Sequence, residues 1–220
     1  MQYCLGPDIV SRVVTDLMTP NRSRLPRRIK AKPLLSRDTV ALARSLLGKY
    51  LVRLTQEGVR AARITEVEAY DGEADRACHA RNGRTARNAV MYGPGGRWYV
   101  YLCYGMHEML NLVTGPAGYP AAILIRGVDG ASGPGRLTKA LGIDRNLNGA
   151  ACVPESGLWI EDRGGEVPPE AIRALPRVGV DYAGPKWAAM PWRFAIDASP
   201  AGTSGEAPRQ ARRRRARLRP

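Results

Sequence analysis

Nothing in this sequence would hold it in a membrane, because no apolar run approaches the roughly 18 residues that a bilayer crossing needs. The opening "MQYCLGPDIVSRVVTDLM" carries Asp8 and Asp16 and no uninterrupted apolar stretch, so it does not read as a secretory signal. Cys4, Cys78, Cys103 and Cys152 form no CxxC pair, which favours reduced cytosolic thiols over a disulfide framework. Cys78, His79, Cys103 and His107 lack any recognised zinc-ligand spacing, and no metal site is expected from them. Internal repeats are missing too. The expected location is the cytoplasm, nucleoid-associated in a bacterium, or the nucleus in a eukaryote.

Acids are scarce at both ends. Residues 19–33 hold Arg22, Arg24, Arg27, Arg28, Lys30 and Lys32 with no Asp or Glu, and residues 204–220 hold seven arginines against Glu206. These segments carry most of the formal net charge of +14. Such Pro- and Arg-rich ends cannot bury enough apolar surface to fold, so 1–33 and 204–220 are expected to be mobile arms flanking one domain at 34–203. Their simplest partner is nucleic acid, since each phosphate neutralised releases condensed counterions; a solubilising tail is the bland alternative. Met18 stands directly before the basic stretch, which leaves the first 17 residues open to being a start-site artefact that N-terminal mass measurement would decide.

What is present reads as mixed helix and strand. In "LLSRDTVALARSLLGKYLVRL", Ser36 or Asp38 can cap a helix whose Val40, Leu42, Leu46 and Leu47 share a face, and Gly48 can end it before a strand through Tyr50, Val52 and Leu54. "AARITEVEAYDG" predicts a second strand, with Ile64, Glu66 and Glu68 alternating against Thr65, Val67 and Ala69. A loop-rich stretch follows, with a short helix near residues 73–77; "AAILIRGVDG" supplies a buried strand and "SGPGRLTKALGI" a helix entry. The lack of a regular βαβ rhythm argues for α+β.

"RWYVYLCYGMHEMLNLV", residues 97–113, alternates like two strands, yet its turn carries Tyr104 directly before Gly105. Hairpin tips favour small polar residues, so an aromatic there asks for a reason. Period two puts Tyr99, Tyr101 and Cys103 on one face, with Val100 and Leu102 facing the core. The tripeptide EAY, Glu68 to Tyr70, places a carboxylate and an aromatic at a strand end, where a pocket wall can form.

In order and spacing, "EVEAY", "ACHARNGRTARNAVMYGPGGRWYVYLCYGMHEMLNLV", "AAILIRG", "SGPGRLTKALGI", "RVGVDYAG" and "PWRF" resemble the 3-methyladenine (alkyladenine) DNA glycosylase family, over about residues 34–197. The resemblance implies a single α+β domain around a curved, mainly antiparallel sheet, with a protruding hairpin and peripheral helices. It implies a monofunctional enzyme that flips alkylated purines, with deaminated or ethenoated ones in question, out of double-stranded DNA and hydrolyses the N-glycosidic bond to leave an abasic site. By position Tyr104 matches the intercalating tyrosine, while Tyr70, His79, Tyr101 and Asn111 match the base pocket. Glu68 matches the general base; Arg126 and the Val178 carbonyl match the groups that hold its water, with the arginine expected to keep Glu68 ionised. Arg84, Thr85, Arg87 and Arg136 match DNA-contacting positions, and Met91 and Met106 are expected to flank the wedge.

The resemblance further implies no cofactor and no amine nucleophile, and a monomer acting on damaged duplex. Tyr92, Ala89 and the brief "GVDGA" depart from the family pattern and leave the lesion preference open. A catalytically silent protein that senses damage or distorts DNA with the same hairpin is the rival.

Overall fold

A capped amphipathic helix leads into the strands in the computed structural model, which describes residues 27–28 and 34–197. In α1 (Thr39–Leu46), Asp38 is the cap: its Oδ1 accepts the Ala41 N–H at 2.9 Å, while Ser36 Oγ accepts the N–H of Asp38 itself. The inward face is Thr39, Leu42, Ala43 and Leu46, and Val40 is only half-buried. After the helix Gly48 takes φ 81°, and a Cβ there would come within 2.7 Å of the Val167 side chain.

Among the described residues ten strands pair throughout as antiparallel neighbours: β1 (Arg27–Arg28), β2 (Tyr50–Thr55), β3 (Gly58–Asp71), β4 (Trp98–Cys103), β5 (His107–Thr114), β6 (Ala121–Val128), β7 (Ala131–Ser132), β8 (Leu158–Asp162), β9 (Ile172–Leu175) and β10 (Arg193–Ile196). Their main path runs β1-β8-β2-β3-β6-β5-β4; β10 joins β3 to β9, and β7 extends β6. Among the described residues the helices α2 (Pro134–Leu141) and α3 (Pro185–Ala188) join α1 in a single α+β domain around an open sheet. Among the described residues no helix is long and apolar enough to cross a membrane.

Within the segment expected to be mobile, Arg27 and Arg28 pair with Asp162 and Glu161 of β8. The other expectations for the arms lie outside the described residues, as do residues 198–203 of the expected domain.

The 14-residue β3 is the pivot. Its first half pairs with β2 through Arg63, and its second half lies between β6 and β10. Register shifts flank Glu66 in the pairing with β6, and this bulge corrects the expected alternation. Ile64, Val67 and Ala69 all enter the main core, whereas strict alternation would set Ile64 against the other two. The bulge thereby turns Glu66 and Glu68 to the opposite side from Ile64. Opposite it sits Gly127, where a Cβ would meet Thr65 Oγ1 at 3.1 Å and Glu66 Cβ at 3.2 Å, so the crossing strand approaches as closely as it can.

The helix expected near residues 73–77 is absent; the chain there makes turns. Asp75 explains this, because its carboxylate accepts the N–H groups of Asp71 and Ala77 and is also used by a distant arginine. That side chain stabilises turns in place of a helical ladder.

The sheet's two faces do different jobs. Trp98, Val100, Leu110, Leu112, Ile123 and Ile125 fill the large core beneath α1 and α2. The other face of β4, β5 and β6 carries a smaller cluster of Cys78, Ala80, Met91, Tyr99, Val113 and Ala122, against which Tyr70 and Tyr101 pack.

Candidate active site

Register builds the site. Glu68 pairs with Leu124, Leu124 with Asn111, and Asn111 with Tyr99, which lays one row of side chains across β3, β6, β5 and β4. Antiparallel partners share a face, so the row points away from the large core.

At one end of the row the Glu68 carboxylate is 0% exposed. Its Oε1 accepts the Val178 backbone N–H at 2.8 Å and lies 3.4 Å from Arg126 Nη1; its Oε2 accepts the Tyr70 hydroxyl at 2.8 Å. Arg126 is shared, since its Nε also donates to Glu66 Oε1 at 3.1 Å, an oxygen that Arg193 Nη1 reaches at 3.0 Å. Burial raises the Glu68 pKa, and it outweighs the lowering by Arg126, Val178 and Tyr70. Burial is thus the largest influence on Glu68, and Arg126 is the first of the groups that offset it. Val178 meets the carboxylate through its amide, which donates inward, while its side chain is exposed.

A second, wholly buried pair holds these groups in place. The Arg177 guanidinium grips Asp75 with both terminal nitrogens and donates to the Ala69 carbonyl at 2.9 Å. Its carbon lies 4.8 Å from the Tyr70 ring centroid and 5.0 Å from that of Trp192. One pair thus joins the loop before His79, the end of β3 and the segment that presents Val178. Sequence reasoning missed Arg177, Asp75 and Glu66; "RVGVDYAG" contained the arginine, but its partner lies 102 residues away. Tyr70, pressed by burial and by Glu68, has its pKa raised well above the usual tyrosine range, so it stays a donor to the carboxylate.

The aromatic end of the row gathers His79, Tyr99, Tyr101 and Asn111. His79 Nδ1 lies 3.0 Å from the Tyr99 hydroxyl, and its ring meets Tyr101 at a tilt of 62° with centroids 4.7 Å apart. Burial first, then Arg87 and Arg81, lower the His79 pKa to about 4, which keeps the imidazole neutral near pH 7. Buried Asn111 donates through Nδ2 to the carbonyls of Tyr99 and Met109. Tyr99 was absent from the expected site, although alternation places it on the same face as Tyr101, which the resemblance singled out.

Beyond the pocket, β4 and β5 run out to the hairpin tip. Met106 donates its N–H to the Cys103 carbonyl across Tyr104 and Gly105, whose φ angles are 50° and 71°. Both central residues therefore occupy the left-handed region typical of primed hairpin turns, and Tyr104 is the one non-glycine residue among those described with positive φ. Its ring is 89% exposed and Met106 beside it 71%. The hairpin's last pairs before the turn are braced by α2: Thr138 Oγ1 donates to the Glu108 carbonyl, and a Cβ on Gly135 would strike the His107 ring at 2.8 Å.

Of the expected DNA-facing residues, Arg84, Thr85, Arg87 and Arg136 are exposed. Thr85 also serves its own turn, exchanging hydrogen bonds with Asn88. Arg84 leans over Tyr92, whereas Arg87 lies over Tyr101. Met91 is a correction: at 2% exposure it packs with Tyr99 and Cys78 beneath the pocket, because the 3₁₀ turn of Ala89–Tyr92 folds it inward, and it does not flank the tip. Cys78, Cys103 and Cys152 are free thiols. Among the described residues no cluster of His, Cys, Asp or Glu is arranged to hold a metal.

Comparison with known proteins converges on one family. The family model described as methylpurine-DNA glycosylase matches residues 33–130 and 128–200. A protein of Anaeromyxobacter dehalogenans (strain 2CP-1) named "Putative 3-methyladenine DNA glycosylase" is 50% identical over 172 residues, covering 75% of this chain and 80% of its own. Relatives of the same name from Methanocella arvoryzae and Streptomyces avermitilis are 49% identical over 193 residues and 42% identical over 219; they cover 76% and 90% of this chain and 94% and 99% of their own.

Proposed function

Since the chain belongs to the methylpurine-DNA glycosylase family, we propose that it excises alkylated purines from duplex DNA, using Glu68 as the base and Tyr104 as the wedge. The observation that carries this reading is the row from Glu68 to Tyr99: a carboxylate buried at one end, an aromatic pocket at the other, and an exposed ring farther along the same hairpin.

Chemistry follows from the row. Tyr104 enters the duplex and fills the vacancy left by the extruded nucleotide, restoring part of the stacking lost. Tyr104 lies three residues beyond Tyr101, roughly 10 Å along the strand at about 3.3 Å per residue, so the plug and the pocket serve neighbouring positions in the DNA. Tyr70, His79 and Tyr101 receive the base; a purine made cationic by alkylation gains from the faces of the two tyrosines. Asn111, held by two carbonyls, presents a fixed edge against which the exocyclic groups of the base are sorted.

Breaking the bond from C1′ to the base nitrogen leaves positive charge on the sugar and sends the bonding electrons to the base. Glu68 stabilises that charge and takes a proton from the attacking water, whose oxygen bonds to C1′. The products are a free base and an abasic site in an intact strand. Val178 N–H and Tyr70 O–H fix the carboxylate's orientation, and Arg126 opposes the effect of its burial.

An oligonucleotide duplex carrying a single 7-methylguanine or 3-methyladenine analogue, incubated with the protein and then heated in alkali, is expected to break at that position. Hypoxanthine and ethenoadenine duplexes in the same panel measure the lesion range. An intact strand with every lesion would overturn the reading.

A further inference from the structure

We propose that Arg87 occupies the base pocket in place of substrate, and that a DNA phosphate draws it away, so that the pocket opens only on nucleic acid. The inference rests on the reading above, in which the Tyr101 wall receives the base.

The Arg87 guanidinium carbon lies 5.0 Å from the Tyr101 ring centroid, and Nη2 donates to the Leu102 carbonyl at 3.2 Å. The same group neighbours the Tyr99 hydroxyl. Guanidinium is flat, delocalised and permanently charged, so on an aromatic face it imitates a purine cation in both shape and charge. His79 crowds the same ring, 4.7 Å centroid to centroid. A base sandwiched between two rings needs roughly 7 Å, two van der Waals contacts of about 3.5 Å, so the unliganded pocket is closed from two directions.

Arg87 can leave the pocket by a side-chain movement alone. The backbone around it is pinned by buried Asn88, whose Nδ2 donates to the His79 and Gly83 carbonyls at 2.9 and 3.0 Å and whose Oδ1 accepts the Thr85 N–H at 2.7 Å. Arg87 itself is exposed, within reach of a polyanion. A bidentate, charge-assisted grip on phosphate is stronger than an exposed cation–π contact, so duplex binding removes the plug. Coupling of this kind is reciprocal: phosphate binding tightens base capture, and base capture tightens phosphate binding. Free alkylpurines are thereby disfavoured at the site until DNA is engaged.

The test uses 7,9-dimethyladeninium, a permanent purine cation with no glycosidic bond, and neutral 9-methyladenine, each titrated without DNA against the wild-type chain, R87M and R87K. R87M is expected to bind the cation about two- to fivefold more tightly than wild type, with a smaller change for the neutral base. Its duplex binding should lose roughly 0.9 from the slope of log K against log salt. R87K keeps the charge but loses the flat guanidinium, so it should retain the slope and still bind the cation more tightly than wild type. Cation binding by R87M that is undetectable, unchanged or weaker, or an unchanged slope in R87M, would overturn the proposal. Failure here with a positive alkali-cleavage panel removes the plug and leaves the glycosylase reading standing; a negative panel with tighter cation binding in R87M does the reverse.

Discussion

Glu68 and Tyr104 are the two ends of one proposed machine, and they are held in opposite ways. Glu68 is fully buried and contacted from three elements: β3 through Tyr70, β6 through Arg126, and the segment before α3 through Val178. Tyr104 has almost no contacts; it is placed by backbone geometry alone, in a left-handed conformation that costs a non-glycine residue about 1–2 kcal/mol. The reacting end is over-determined, while the probing end is strained and open. A carboxylate must meet one atom in one orientation, whereas a ring that slides between bases gains from standing clear of its own protein.

The comparison is tested hardest at Glu68. Glu68→Gln keeps the shape and can still accept the Val178 N–H, but it cannot take a proton from water, so excision is expected to fall by about 10²–10⁴-fold with lesion binding retained. Stability should not fall with it. The folded-state pKa of Glu68 is raised, so its charge opposes folding increasingly as pH climbs from 4.5 through the folded value, and a neutral amide removes that opposition. Melting at pH 7.5 is expected at or above the wild-type temperature. A variant that keeps excising would remove Glu68 from its role, and retained lesion binding would show that the loss is one of chemistry.

Next in size is the pair that holds the buried end. Arg177→Met leaves the Asp75 carboxylate buried with two backbone donors and no countercharge, at a cost of about 3–5 kcal/mol. Denaturant unfolding measures it. A loss under about 1 kcal/mol would mean that this pair does not organise the Val178 segment.

Legibility in the sequence followed the range of the interactions. Strands β2 to β6, α1 with Asp38 as one of two candidate caps and the entry to α2 were readable because alternation, caps and turn residues act over a few positions. The bulge at Glu66 was not, since an inserted residue looks like any other in a pattern of period two. Neither was the Asp75–Arg177 pair, which joins segments 102 residues apart and abolishes the helix that local propensity favoured. Met91 followed the same rule: its inward turn is set by Tyr99 and Cys78, from other segments. At the candidate site the resemblance named residues that the structure does bring together, among them Glu68, Tyr70 and Arg126, and His79 with Tyr101. Their individual roles wait on the experiments, and the hydrogen bonds that hold them were beyond reach of spacing.

At the open end the expected signs separate. Tyr104→Asn suits the left-handed turn better and is expected to raise stability by up to about 1 kcal/mol. The same change removes a stacking ring worth about 1–3 kcal/mol, so binding to lesion duplex should weaken roughly ten- to a hundredfold. Thermal melting and a duplex titration on one sample read both. Parallel losses of stability and binding would show the tip to be part of the packed domain, and the contrast between the two ends would fail.

The smallest effect belongs to His79, which lies between the two extremes: half-buried in the pocket and facing the exposed Arg87. Its pKa falls from 6.5 to about 4 on folding, mainly through burial. Between those values the unfolded chain binds a proton that the folded chain refuses, so the stabilising contribution of neutral His79 is complete above about pH 6.5 and is lost as pH falls towards 4. With allowance for partial exposure the loss is about 1–2 kcal/mol. Comparing unfolding of wild type and His79→Gln at pH 7 and pH 4.5 isolates it, because other groups titrate equally in both proteins. If the difference between them does not change with pH, His79 is no more buried than a surface histidine, and the pocket is already as open as the tip.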